Sequence, residues 1–260
     1  FFAMGAAFAT WASRIPDIQE RMHLSAAQLG GVLIGMPVGS LSSLLVSGAL
    51  VTRLGSRNLS VLVALVHVGV IPVVALAQTP WQLTVTLALF GFCENLFNIA
   101  LNTQGVGVET RWGKPILTSF HALWSLGAMT GAAFGGLLAG QGVEPLRHFL
   151  VMGVAVAVAG LLAYRFMLSA DVQPNREPGE KQPLFALPDR PLLLLGLICF
   201  ACMLTEGAMA DWSAIYYKTV LTGAGVATTG YTAFTLTMAL GRFGGDWLTS
   251  RFGIRNMLTL

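Results

Sequence analysis

The chain has 260 residues, 55% of them hydrophobic and only 10% charged, with 30 glycines and a mean hydropathy of +0.70. Soluble domains carry about 25% charged residues, and the apolar runs here reach about 18 residues where a barrel strand would need about 10, so both of those classes are excluded. The net charge of +3 comes from basic residues standing singly or in pairs between apolar runs, a pattern that orients membrane segments and does not build a nucleic-acid surface. The fold class that follows is all-α and polytopic.

Apolar runs place spans at roughly 1–15, 27–52, 58–77, 81–108, 117–141, 147–168, 191–216 and 227–249, with a ninth opening over 254–260. The first residue is Phe1 and the last run is cut short, so the chain reads as a piece of something longer. With a cytoplasmic N-terminus, the inner loops hold Arg53, Arg57, Arg111, Lys114, Arg165, Arg176, Lys181, Arg190, Arg251 and Arg255. The outer loops then hold only Arg14, Arg21, Arg147 and Lys218. The positive-inside rule favours that orientation.

The third span contains His67, which reads as a lone packing residue, while His23 and His148 read as loop residues. The fourth span is the most informative. Over Leu87–Glu109 it is apolar enough to cross a bilayer, yet at about 100° per residue Gly91, Glu94, Asn98, Asn102, Gly105 and Glu109 share one stripe of roughly 80°. That stripe has to face away from lipid. Glu94 falls near the middle of the span, where a carboxylate costs several kcal/mol unless it is protonated, paired or wet. Two readings are open for it: a proton-coupling or pathway group, or a protonated packing residue bonded to a neighbouring helix.

In the fifth span Gly127, Gly131, Gly135, Gly136 and Gly140 form a ladder that suits close helix crossing. The segment Ser169–Pro191, rich in proline and charge, reads as a linker between an N-terminal six-helix bundle (1–168) and a partial second bundle (191–260). Cys93, Cys199 and Cys202 lie inside apolar runs, so the Cys199–Cys202 pair reads as packing and not as a redox or metal site. The seventh span supplies Glu206 and Asp211, and Asp211 is open to a second reading as a solvated vestibule residue. There is no nucleotide-binding loop, metal cluster or nucleophile triad, so no enzyme, cofactor or metal is expected.

The chain then begins to repeat itself. Arg53-Leu54-Gly55-Ser56-Arg57-Asn58 returns as Arg251-Phe252-Gly253-Ile254-Arg255-Asn256, and Trp11-Ala12-Ser13 returns as Trp212-Ser213-Ala214. Six helices repeated in parallel across a central loop resemble the major facilitator superfamily. Its signature between helices 2 and 3, G-x-x-x-D-R-x-G-R-R, is met here by Gly48, Arg53, Gly55 and Arg57. The glycine is expected to let two helices approach and the arginines to stay at the inner interface. The signature's acid is Thr52 here and Ser250 in the second copy. Asp246, four residues after Arg242, is a substitute partner or half of a structural i,i+4 pair.

Within the superfamily, Glu94 followed by Asn98 resembles helix 4 of the sugar:proton symporters related to the fucose transporter. The opening FF..G, Pro16 and FHALWSLG fit the same branch. That resemblance implies a polar substrate contact at His121 with Trp124 on the same face. Its helix 1 acid is Ala12 here, so a two-carboxylate scheme does not carry over unchanged. The glycine ladder of the fifth span is similar to the antiporter motif G-x-x-x-G-P-x-x-G-G, with Ala132 in place of proline.

The expectation is a secondary transporter of the bacterial inner membrane, monomeric when full length, with its N-terminus and central loop cytoplasmic. It would couple protons to a small polar, sugar-like solute and work by alternating access around a midplane site. Proton coupling falls to Glu94, Glu206 and Asp211, and substrate contact to Trp11, Asn98, Asn102, His121, Trp124 and Trp212. Gating falls to the repeated motif with Gly48, Arg53, Gly55, Arg57, Arg242, Asp246, Arg251, Gly253 and Arg255. Trp11 and Trp212 serve either as interfacial anchors or as stacking surfaces for a sugar ring. Drug or metabolite efflux is the alternative within transport, and a non-transporting receptor or assembly subunit the alternative outside it.

Overall fold

The computed structural model describes residues 1–171, 189–220, 226–253 and 256. Most of the expected linker, Arg255 and most of the expected ninth span lie outside the described residues. Those that are described form helices α1 (Phe2–Ala12), α2 (Ile15–Arg21), α3 (Ala26–Leu33), α4 (Gly35–Leu76), α5 (Pro80–Trp112), α6 (Leu117–Gly140), α7 (Pro145–Tyr164), α8 (Arg190–Val220) and α9 (Thr229–Phe252).

Local chemistry explains the boundaries. Ser25 and Thr79 each open a helix with a reciprocal capping box, to Gln28 and Gln82. Pro80 and Pro145 stand in first turns, where a missing N–H costs nothing. The break at Ile34 between α3 and α4 falls where Pro37 cannot donate to the Leu33 carbonyl. Gly113 closes α5 in the left-handed conformation, φ 72°.

The helix assignment runs through Gly55, but the chain does not. Gly55 has φ 75° and ψ 149°, a non-helical conformation open to glycine and strained for other residues. The contacts show that it reverses direction there. Before it, Ser40 bonds Gly91 and Ser43 bonds Asn95, so the 35–54 limb runs parallel to α5. After it, Ser56 bonds Gln104 and His67 faces Glu94, so the 56–76 limb runs antiparallel to α5. α4 is therefore two passes, as the separate spans at 27–52 and 58–77 anticipate. Gly253, the counterpart of Gly55 in the repeat, has φ 77° and ψ 152°. The same sequence motif puts its glycine in the same conformation twice.

Two close crossings hold the first six passes together. α1 and α6 run parallel, with Phe2 against Gly127, Ala6 against Gly131 and Ser13 against Gly135, so close that a Cβ on Gly127 would sit 2.0 Å from the Phe2 carbonyl oxygen. The 35–54 limb meets α5 in the same way, with Gly39 under Ala88 and Gly91 under Met36. Bilayers give no hydrophobic drive between helices, so such small-residue contact is a main source of cohesion. The glycine ladder is thus a packing surface against α1, and Ala132 in place of proline is fully buried within it. Among the described residues, a Cβ on Gly48 would meet nothing within 4 Å.

Five helical segments among the described residues are long and apolar enough to cross a membrane: Ala26–Leu76, Pro80–Trp112, Leu117–Gly140, Pro145–Tyr164 and Arg190–Val220. The first contains two passes. The expected spans at 1–15 and 227–249 do not qualify by themselves, since α1 has 11 residues and α9 carries Arg242, Asp246 and Arg251. Both lie along α6 instead. Leu150, Leu161 and Leu162 of α7 face outward, as lipid contact requires. Trp81 and Trp112, both exposed, mark the two ends of α5.

Candidate functional site

A cavity of about 250 Å³ lies between the first six passes and the pair α8–α9. The polar stripe of α5 contributes Glu94, Asn95 and Asn98 to its wall, α6 contributes His121 and Trp124, and α8 and α9 contribute Glu206 and Arg242. A second, more apolar chamber of about 190 Å³ shares Phe8, Trp124, Met203 and Glu206 with it and reaches Tyr231 and Phe234.

Asn95 does not point at a solute. Its amide donates to the Ser40 carbonyl and the Ser43 hydroxyl at 3.1 and 2.7 Å, pinning α5 to the 35–54 limb. The next residues of the stripe form a chain instead. The Asn102 amide donates to Asn98 Oδ1 at 2.8 Å, and His121 Nε2 lies 3.1 Å from Asn102 Oδ1, so the ring nitrogen carries the hydrogen on that side. Asn102 therefore orients Asn98 and His121 from behind the wall without lining the cavity itself.

Glu94 is the conspicuous group. Its side chain is 12% exposed, and neither carboxyl oxygen has a hydrogen-bond partner. Across the cavity, Arg242 is fully engaged, donating to Glu206 at 2.9 Å and to the Ser125 hydroxyl at 2.8 Å, with its guanidinium 6.0 Å from the Trp124 ring. This overturns the expected pairing of Arg242 with Asp246 one turn away. Asp246 turns to α6, where it accepts from the backbone N–H and hydroxyl of Ser119. A carboxylate gains more from free N–H groups at a helix start than from an exposed i,i+4 pair.

Trp11, Trp212 and Asp211 are not part of the cavity wall. Trp11 is 1% exposed within the core, while Trp212 is 37% exposed and lies over Gly30 of α3. The repeat that makes them equivalent in sequence does not give them equivalent surroundings. His148 is no loop residue: it is fully buried on α7 and accepts from Arg14 Nε at 3.1 Å, and Arg14 itself is 1% exposed and paired with Asp17 at 2.7 Å. Among the described residues, no group of three or more His, Cys, Asp or Glu side chains could hold a metal ion.

A sequence model of the Major Facilitator Superfamily matches residues 1–260. The chain belongs to that superfamily. It is 36% identical over 256 residues to an uncharacterised transporter of Sinorhizobium fredii, covering 97% of this chain and 67% of that one. To an uncharacterised transporter of Yersinia pestis, named as being of the same superfamily type, it is 31% identical over 254 residues, covering 97% and 65%. The chain thus spans about two thirds of the length of these relatives. Among solved structures it is similar to the nucleoside transporter NupG, with a TM-score of 0.60 and 16% identity over 98% of this chain and 67% of that one. That likeness shows the fold.

The superfamily's repeated motif lies at the end of the bundle marked by Gly55, opposite the end marked by Gly142. Arg57 donates to the Tyr164 carbonyl at 3.0 Å and stacks on the Tyr164 ring at 4.0 Å. In the second copy Arg251 lies 5.3 Å from the Trp247 ring. Arg53 stands at the exposed surface near the corner. Two acids cap helix starts at this end of the bundle. Asp171, just after α7, accepts from the Ser56 N–H at 2.9 Å and from its hydroxyl, at the first turn of the 56–76 limb. Glu109 accepts from Ile116 and Leu117 at the start of α6, both at 2.8 Å. Glu109 stood on the polar stripe of α5, whereas Asp171, 115 residues from Ser56, gave no cue in the sequence.

Proposed function

We propose that the chain is the substrate-binding part of a proton-coupled secondary transporter that moves a small polar, sugar-like solute by alternating access. The observation that carries this reading is Glu94, an unpartnered carboxyl on the wall of an intramembrane cavity whose opposite wall is an already neutralised Arg242–Glu206 pair. A bare carboxylate there is expensive, and protonation removes the charge. The proton that enters with the solute lets the cavity close without a charge at depth, and its release on the other side reopens the cycle.

The walls suit a compact solute with hydroxyl groups. Asn98 and His121 are pre-oriented to bond them, and Trp124 and Phe8, with ring centroids 5.8 Å apart, offer an aromatic face to a ring. Among the described residues, the one cation on the cavity wall is Arg242, which is paired with Glu206, and this favours a neutral solute. In this scheme Glu206 steadies Arg242, and Asp211 belongs to the approach from the Gly142 end. In this reading the Gly55 end is the cytoplasmic end in a bacterial inner membrane, which the arginines there support through the positive-inside rule, and the full-length protein acts as a monomer.

The test is uptake of a panel of neutral sugars and related polyols by the full-length protein in proteoliposomes, with and without an inward proton gradient. Accumulation driven by the gradient supports the reading. Gradient-independent equilibration, or movement of apolar drugs alone, contradicts it.

A further inference from the structure

His67 stands on the 56–76 limb of α4, 1% exposed, with neither ring nitrogen hydrogen-bonded. Its Nδ1 lies 3.7 Å from Glu94 Oε2, and its ring meets the Phe90 ring edge-on at 4.7 Å. Glu94 also leaves both oxygens unpartnered. Two buried side chains with four unsatisfied polar atoms thus face each other across a gap slightly too long for a hydrogen bond and short enough for one side-chain torsion to close. Among the described residues, Glu94 is the acidic side chain within ion-pair reach of His67. His121, Glu206 and Arg242 share the cavity wall with Glu94, the Phe1 amino group and Tyr231 lie within electrostatic reach of it, and His67 does not line the cavity.

We propose that His67 is the inner partner of Glu94, accepting a hydrogen bond from it whenever the carboxyl turns away from the cavity; this rests on the reading of Glu94 as the protonated group. The carboxyl then has two directions. Turned to the cavity, it meets solute and water. Turned inward, its Oε2–H donates to His67 Nδ1, and the neutral acid and the neutral imidazole satisfy each other's polar atoms while the proton stays on the carboxyl. The pair keeps one proton and zero net charge throughout, so closing the cavity leaves no uncompensated charge in the bundle. His67 touches no solute and acts as a positioning residue for Glu94.

The test is ring-nitrogen NMR of the full-length protein labelled with ¹⁵N-histidine in lipid, the His67 signals being assigned by their loss in His67→Phe. In Glu94→Leu the His67 resonances are expected to move to those of an unpartnered neutral ring, while those of His23 and His148 stay in place and report an intact fold. Unchanged His67 resonances overturn the proposal. Should Glu94→Leu not fold, the reciprocal measurement decides. The Glu94 carboxyl ¹³C resonance is expected to shift in His67→Phe and to return toward the wild-type value in His67→Gln, whose amide both donates and accepts; no shift in either variant overturns the proposal. Uphill transport that survives Glu94→Gln would remove the coupling role while leaving these resonances as they are, so the two readings fail separately.

Discussion

Asp246 accepts two hydrogen bonds from Ser119 through the same oxygen, 2.8 Å from the backbone nitrogen and 2.5 Å from the hydroxyl. An acid of α9 thereby caps the first turn of α6, and the contact fastens the second bundle to the first at the Gly55 end. In the cycle proposed above that end opens, and the contact would then break once per cycle. Hydrogen bonds to a charged group are worth about 1.5–3 kcal/mol each. Asp246→Asn, which keeps one acceptor and loses the charge, should favour the open state at that end by roughly tenfold, about 1.4 kcal/mol. Labelling of a cysteine placed at Thr118, beside Gly245, is expected to quicken accordingly, and an unchanged rate would show that the contact is not a latch.

The opposite end is fastened by Lys218 of α8, which donates to Glu20 of α2 at 2.5 Å. That bond and the nearby ammonium charge hold the Glu20 carboxyl below its ordinary range. Because the folded-state value is depressed, the contribution of the pair is fully present above the ordinary carboxylate pKa and is lost as pH falls through the lowered one. The separation between α2 and α8, read by a pair of spin labels in the full-length protein, is therefore expected to widen only below that ordinary range. Lys218→Met should remove the pH dependence and Glu20→Gln should mimic low pH.

Arg242 and Glu206 are expected to behave as a coupled pair. Their side chains are 20% and 28% exposed, so removing one leaves the other partly buried without a countercharge. Arg242→Met alone should destabilise the full-length protein more than the double variant with Glu206→Gln, with a coupling energy of about 1–3 kcal/mol in a thermal-unfolding cycle. Additive single effects would mean that the two do not act as a unit.

Helix cohesion makes a separate forecast. Gly127→Val places a side chain against the Phe2 carbonyl, whereas a Cβ on Gly69 meets nothing within 4 Å. Overpacking typically costs about 1–3 kcal/mol, and backbone contact leaves little room for relief. Gly127→Val is expected to lower the unfolding temperature of the full-length protein and Gly69→Ala to leave it nearly unchanged.

The fold was legible where one chemical rule acts along one helix. The polar stripe of α5 followed from helical periodicity, and the division of α4 into two passes from the gap between the apolar runs 27–52 and 58–77. Relations between helices were not legible. His67 looked solitary because its neighbour Glu94 sits on another helix, and Arg242 and Asp246 looked like partners because their spacing permits contact. Spacing says what can meet, whereas burial and competing donors decide what does. His148 follows Pro145 and looked like a loop residue until α7 was found to begin at that proline and bury the ring.

The claim on which the account turns is that Glu94 carries the proton. Glu94→Gln in the full-length protein, reconstituted with a solute found from the sugar panel, separates the possibilities, because glutamine imitates the protonated carboxyl and cannot release a proton. The account predicts that uphill accumulation driven by a proton gradient is lost while counterflow exchange of the same solute stays within a few-fold of wild type. Undiminished uphill accumulation in that variant would contradict it.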